Sequence, residues 1–310
     1  DFAPYEAGAD VDLEALNTAK SCKDLFFPQH EEIVKFKMAG KAIEILEAER
    51  KEERFTVLGV RACDAAGLAV LDKVFLSEPY DPYYAARRQH GTIVTLACAV
   101  PEVSCFCTNF GIDPAAPGGD VAAWMWEDTL YWQPQSEKGE ALTEKVRSLF
   151  AKADPAEIEA AQGDIRAQAE SLPYAHLDLS GLDGDHLQAL FDSPKWKELS
   201  QACIGCGTCT FVCPTCQCYD IRDFNTGSGV TRYRCWDSCM YSDFTLMAAG
   251  NPRKSQLERF RQRFMHKLCY FPANNEGSYS CVGCGRCVRK CPINMNIVKV
   301  IKALGGKQDV

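Results

Sequence analysis

The sequence contains no uninterrupted apolar run of 18 residues, so no segment reads as a membrane-spanning helix. It has no G-x-G-x-x-G after a strand, no P-loop, no G-x-S-x-G and no H-E-x-x-H. Those absences remove the familiar signatures for dinucleotides, nucleoside triphosphates, serine hydrolysis and zinc proteolysis. Histidine is scarce, with five residues at 30, 90, 176, 186 and 266 and none paired at metal-ligand spacing. The pI of about 5.3, with no recognisable DNA- or RNA-binding motif, excludes nucleic acid as the expected partner. The first residues, Asp-Phe-Ala-Pro-Tyr-Glu, do not read as a signal peptide. They also lack a starting methionine, which leaves room for a trimmed leader. The chain has little with which to make or break bonds.

What it has in excess is cysteine, 18 in 310 residues. Two runs stand near the C-terminus, Cys203-Ile-Gly-Cys206-Gly-Thr-Cys209-Thr-Phe-Val-Cys213-Pro214 and Cys281-Val-Gly-Cys284-Gly-Arg-Cys287-Val-Arg-Lys-Cys291-Pro292. Both read C-x2-C-x2-C-x3-C-P, the spacing that holds 4Fe–4S cubanes in bacterial ferredoxins. Three thiolates wrap one cubane, and the cysteine before proline ligates the other run's cluster. Cys203, Cys206, Cys209 and Cys291 are therefore the expected ligands of one cluster, and Cys281, Cys284, Cys287 and Cys213 those of a second. Zinc or disulfides are the plainer alternatives. Zinc sites, however, need no third cysteine at this spacing and no fourth before proline. Disulfide scaffolds are short exported chains. Glycines 205, 207, 283 and 285 suit a backbone that closely approaches a cluster. The absence of adjacent cysteines argues against a noncubane, heterodisulfide-cleaving site.

Charge is unevenly spread. Residues 251–310 hold twelve Lys/Arg against three Asp/Glu, a net +9, which leaves −17 for residues 1–250 of the total −8. That basic end offsets cluster charge or docks an acidic partner, or is simply a solvated helix face. Thiol-rich metal spacings indicate a reducing cytoplasm, and oxygen-labile clusters an anaerobic one.

Along the chain, residues 10–50 read as helical. Phe55–Val60 and Thr92–Leu96 read as strands with a helix at Leu68–Phe75 between them, an α/β unit with a parallel pair. Cys63 and Cys98 follow the two strands, at the sheet edge where open α/β sheets bind ligands. Cys105 and Cys107 follow at once. Four thiols at one sheet end are enough for a third cubane, with reduced core cysteines or zinc as the alternatives. The aromatic stretch 120–133 reads as a core hairpin rather than a flavin-stacking patch. Residues 136–172 read as exposed helices, the second starting at Pro155. Leu172-Pro173-Tyr174 is the expected linker, dividing an α/β domain over 1–172 from a helical domain over 173–310. The fold class is thus α+β, an N-terminal α/β domain followed by an α-helical ferredoxin-type domain with two 4Fe–4S clusters. Leu187–Leu199 and Arg253–Cys269 are its predicted helices. The 67 residues between Cys213 and Cys281 carry four more cysteines, Cys216, Cys218, Cys235 and Cys239. These are either a further metal site or thiols that donate to cluster sulfurs. Cys22 and Cys269 stand apart, as buried free thiols.

Several stretches together resemble the iron–sulfur β subunit of cytoplasmic NiFe hydrogenases (sulfhydrogenases) and the iron–sulfur subunit of anaerobic sulfite reductase. They are Phe26-Phe27-Pro28-Gln29, Gly59-Val60-Arg61-Ala62-Cys63-Asp64, Asp81-Pro82-Tyr83-Tyr84, Cys105-Phe106-Cys107-Thr108, Cys213-Pro-Thr-Cys216, Trp236-Asp-Ser-Cys239 and Cys281-Val-Gly-Cys284-Gly-Arg-Cys287. They span nearly the whole chain in order. The family more often has proline at Ala62 and a single cysteine around Trp-Asp-Ser-Cys, so Cys235 is an addition, and Cys216, Cys218 and Cys239 remain as possible metal ligands. The resemblance implies a cytoplasmic electron conduit between a flavin-containing NAD(P)H or ferredoxin reductase subunit and a catalytic hydrogenase, sulfite reductase or heterodisulfide-reductase-like subunit. The competing reading, of a different class, is a redox enzyme acting on a small substrate at Cys63, Asp64 and Cys107.

Overall fold

The computed structural model describes residues 2–13, 18–47 and 53–306. It is mixed α/β, with two four-stranded sheets. The first sheet has the order β3 (Phe55–Val60), β4 (Gly91–Leu96), β5 (Val121–Trp126), β6 (Thr129–Pro134). β3, β4 and β5 run parallel, and β6 closes the sheet as an antiparallel hairpin with β5. Helix α1 (Ala62–Phe75) connects β3 to α2 (Pro82–His90), which leads into β4. The predicted parallel pair is therefore present, and the hairpin falls on the aromatic stretch. Its inward residues Trp124 and Tyr131 are buried beside Ile165 of α4 (Pro155–Glu170), while α3 (Glu137–Val146) packs on β4. Pro155 stands at the first position of α4, where the missing N–H costs nothing, and Asp154 caps the helix.

The second sheet has the order β2 (Ala42–Glu47), β1 (His30–Ala39), β8 (Gly229–Trp236), β7 (Tyr219–Asn225) and is antiparallel throughout. This corrects two expectations. Within residues 10–50 the described helix is only Lys23–Phe26; the charged stretch beyond it is the β1–β2 hairpin. The alternation Val34, Lys35, Phe36, Lys37, Met38 is a strand period, and the charges on one side of it mimic an exposed helix face. Residues 14–17 and 48–52 of that prediction lie outside the described residues. The part of the chain around the cysteine runs is likewise not purely helical, because β7 and β8 insert a hairpin there and pair with β1.

The longer helices that follow, among the described residues, are α5 (Lys195–Gln201), α6 (Gln256–Met265) and α7 (Ile297–Leu304). Leu187–Leu199 is not one helix. It breaks into Leu187–Phe191 and α5 at Ser193-Pro194, since proline blocks helix continuation through its own position. α6 opens with a capping box between Ser255 and Glu258 and continues through a π-turn at His266–Tyr270, so the predicted Arg253–Cys269 helix holds in outline. Trp196, Phe260, Phe264, Ile297 and Ile301 form the core beneath the cysteine runs.

Arg234 ties the second sheet to the first. Its side chain is 3% exposed. Nε donates to Glu31 Oε2 at 2.8 Å, and the guanidinium also pairs with Asp81, the N-cap of α2. Arg87 of α2 donates to the other oxygen of Glu31 at 2.8 Å. Removing one member of a buried ionic network leaves its partners desolvated and uncompensated, at a cost of about 3–5 kcal/mol. Arg234→Met is expected to lose stability of that order in chemical denaturation, and Arg234→Lys more than half as much, because an ammonium lacks the planar fork with which the guanidinium reaches Glu31 and Asp81 together.

Candidate iron–sulfur centres

None of the 18 cysteines is in a disulfide. The loops that hold them gather the thiols into distinct places.

One cavity is lined by Cys213, Cys281, Cys284 and Cys287, with Phe106 and Ile297 completing the wall. These are the four residues predicted to share a cluster, one from the first run and three from the second. The chain reaches this geometry through two short helical turns, Thr208–Phe211 and Arg286–Arg289, which pack on each other. A left-handed glycine precedes each turn, Gly207 at φ 74° and Gly285 at φ 73°. Gly283 and Gly285 also admit the 104–107 loop. A Cβ at 283 would stand 2.5 Å from Cys107 N, and one at 285 2.5 Å from Ser104 O. Phe106 N donates to Gly283 O at 2.8 Å and fastens the loop to the run.

Cys203, Cys206 and Cys209 lie together, and Cys206 is exposed. Gln256 Nε2 donates to Cys203 Sγ at 3.4 Å. Cys291 follows the Arg286–Arg289 turn and donates to Met295 O at 3.1 Å.

A second cavity is lined by Cys63, Cys98, Cys105 and Cys107. Cys63 sits in the first turn of α1, Cys98 just past β4, and the other two in the loop that follows. Sheet topology thus brings the four first-half thiols to one edge. Burial pushes the Cys63 thiol well up and the Cys105 thiol up to about 12. Metal binding here would have to displace those protons. Gly283 and Cys284 close the far wall of this cavity, so Cys284 lines both cavities.

The third group is smaller. Cys239 donates to Cys218, which lowers the Cys218 thiol to about 7, and Cys216 donates to Cys213. Cys235 is not with them. It lies on β8 opposite Asp220 and His30, beside Arg222. The structure therefore does not bring the insert's four cysteines together. Cys22 and Cys269 are each 1% exposed, packed in hydrophobic cores. Among the described residues no three His, Cys, Asp or Glu side chains converge on one ion. Tetrahedral zinc requires such convergence, whereas a cubane presents its irons at separate corners.

Sequence reasoning missed the cations. Lys23, Arg263 and Lys267 are each 2% exposed, and none pairs with a carboxylate among the described residues. Arg263 Nε donates to Cys209 Sγ at 3.1 Å, and Nη1 to Cys216 Sγ at 3.6 Å. Lys267 Nζ donates to Thr215 Oγ1 at 2.5 Å and to Ser280 O at 3.2 Å. Lys23 Nζ donates to Cys216 O at 3.0 Å and lies 3.6 Å from the Trp236 ring centre. Burial lowers Lys23 to about 8, and the neighbouring thiols oppose that shift. Three buried charges without carboxylates cost several kcal/mol each unless an anion neutralises them. A cubane on four thiolates carries about −2. Ser104 Oγ, buried against Gly285 with no hydrogen-bond partner among the described residues, is a donor that lacks an acceptor such as sulfide. The residues fit iron–sulfur clusters. The i, i+4 spacing of Arg263 and Lys267 on an otherwise apolar face of α6 and its continuation was the available signal. Asp64, a candidate for substrate chemistry, has both oxygens bound to Arg286, at 2.5 and 2.7 Å.

Residues 202–295 match the family described as the 4Fe-4S dicluster domain. Over 250 residues the chain is 36% identical to sulfhydrogenase 2 subunit beta of Pyrococcus furiosus, a span covering 80% of this chain and 73% of that protein. No solved structure matches it. No described helix is long and apolar enough to cross a membrane. The chain belongs to the family of the sulfhydrogenase β subunit and carries a 4Fe-4S dicluster domain.

Proposed function

We propose that the chain is a cytoplasmic iron–sulfur electron-transfer subunit that relays electrons between a flavin/NAD(P)H- or ferredoxin-linked subunit and a catalytic subunit. The observation that carries the reading is the pair of four-cysteine cavities divided by Cys284. Cys203, Cys206, Cys209 and Cys291 would hold one 4Fe–4S cluster, Cys213, Cys281, Cys284 and Cys287 a second, and Cys63, Cys98, Cys105 and Cys107 a third. Bound cubanes supply one-electron storage within roughly −700 to +450 mV. The protein supplies the tuning. Arg263 and Gln256 donate to the sulfurs of Cys209 and Cys203, which stabilises added negative charge. Thr215 Oγ1 lies 3.3 Å from Cys213 Sγ, while its own proton goes to Ser280 O. Exposed Cys206 marks the end of the relay where a partner's redox centre can approach. The division into 1–172 and 173–310 is then one of cluster content, with the β1–β2 hairpin crossing it. Cys216 serves as a hydrogen-bond donor to Cys213, with the Cys239–Cys218 pair beside it, and these three thiols are not metal ligands.

The likeness to a sulfhydrogenase β subunit favours a hydrogenase as the catalytic partner, with sulfite reductase and heterodisulfide-reductase-like proteins as the alternatives. Anaerobic purification of the native complex, with its components identified by mass, is expected to return a flavoprotein and a catalytic protein. A chain that purifies alone and turns over a small substrate with an artificial donor would overturn the proposal.

A further inference from the structure

The two cavities share the wall of Phe106, Gly283 and Cys284, and a buried ion pair joins the two segments that carry their thiols. Arg286, from the turn of the second cysteine run, is 1% exposed, and Asp64, in the first turn of α1, is 2% exposed. Nη1 and Nη2 of the arginine grip the two carboxylate oxygens at 2.5 and 2.7 Å. Arg286 Nε donates to Thr18 O at 2.8 Å. Asp64 is adjacent in sequence to Cys63 of one cavity, and Arg286 lies between Cys284 and Cys287 of the other. The pair therefore spans the seam between the two thiol sets, within the electrostatic reach of both Cys63 and Cys284. A mere fastener between two elements needs neither buried charge nor this location; apolar contacts would serve.

We propose that Asp64 and Arg286 are positioning residues that set the relative reduction potentials of the cluster on Cys63, Cys98, Cys105 and Cys107 and the cluster on Cys213, Cys281, Cys284 and Cys287. The inference rests on the cluster assignment above. Neutral as a pair, they place a negative charge nearer the first set and a positive charge nearer the second. The positive end favours the reduced, more negative state of the cluster beside it, and the negative end disfavours that state in its neighbour. A standing potential difference across the Cys284 wall follows, and it biases where an electron rests. Arg263 and Lys267 also line the second cavity and add to the positive field on that side, and they are unchanged in every variant below. The remaining cations near the seam are engaged elsewhere. Arg61 donates to Leu96 O and Ala97 O, and Arg289 pairs with Glu102.

The test is an EPR-monitored redox titration of the iron-loaded protein and three variants. Asp64→Asn leaves an unpaired cation and is expected to raise both potentials. Arg286→Gln leaves an unpaired carboxylate and is expected to lower both. Each shift should change the reduced-to-oxidised ratio at a fixed potential by at least about tenfold, about 59 mV for a one-electron couple. The double variant Asp64→Asn/Arg286→Gln keeps a neutral hydrogen-bonded pair. It guards against misfolding of the single variants, and it should narrow the gap between the two clusters while leaving their mean potential unchanged. Shifts of the same sign in both single variants, or a double variant whose gap matches the wild type, would overturn the proposal. Iron content separates the two levels of inference. A protein that lacks iron at these cysteines sinks the cluster assignment, whereas a fully loaded protein with unmoved potentials sinks only the role of the ion pair.

Discussion

Replacing Cys63 with serine is expected to lower the iron content of anaerobically purified protein from about twelve atoms per chain to about eight, four for each cubane. The effect should be all-or-none. Cys63 is one of four thiols on a single cavity, and it lies at the buried start of α1, with no fifth cysteine beside it from the first half of the chain. The neighbour that could substitute, Cys284, also lines the adjacent cavity and is committed there. Elemental analysis with sulfide determination reads the number directly. A wild-type value near eight, unchanged in Cys63→Ser, would remove the third cluster and return the first-half cysteines to the status of reduced core thiols. A loss of all iron in the variant would instead show that the two cavities assemble as one.

Stripping the iron with a chelator is expected to unfold the region around residues 203–291 rather than to leave an empty frame. Structural metal in small modules contributes roughly 10–16 kcal/mol to folding. The reason here is specific. Once the clusters are gone, Lys23, Arg263 and Lys267 are three buried cations facing neutral thiols. Hydrogen exchange should show protection lost in α6 and the cysteine turns, while β3–β5 keep theirs. Lys267→Met makes the argument reversible in sign. Removing one cation should destabilise the iron-loaded protein, since a counter-charge is lost, and should stabilise the apoprotein, since an uncompensated charge is lost. A variant that destabilises both forms equally would show that Lys267 acts through packing and its bonds to Thr215 and Ser280 alone.

The two cysteine runs were legible in the sequence because ligand spacing is a local property, and in the structure Cys213 lines one cavity with Cys281, Cys284 and Cys287 of the second run. The first-half set was legible for a different reason. Strands β3 and β4 are short apolar runs, and a parallel sheet delivers whatever follows each strand to the same edge. The β1–β2 hairpin was missed because its partner, β8, lies about two hundred residues away and its charged alternation resembles a helix face. The same distance hid the Arg234–Glu31 and Arg286–Asp64 pairs, whose members only tertiary structure brings together. Lys23, Arg263 and Lys267 were missed because lysine and arginine are ordinarily surface residues, and only the folded chain places them among the thiols.

The wall that Gly283 and Cys284 build for the first-half cavity has a consequence for biogenesis. Those two residues leave the ribosome long after the four first-half thiols have done so. Until then Cys63, Cys98, Cys105 and Cys107 have no far wall, and hairpin β1–β2 has already had to wait for β8, Gly229–Trp236. Domains ordinarily fold from the N-terminal end as they emerge. The first half cannot finish early, because a segment synthesised much later closes the site that the first half begins. Under the proposed assignment, iron is expected at the first-half thiols only after residues 283–284 have been made, and a truncation before them would forfeit that centre as well as those next to the cut.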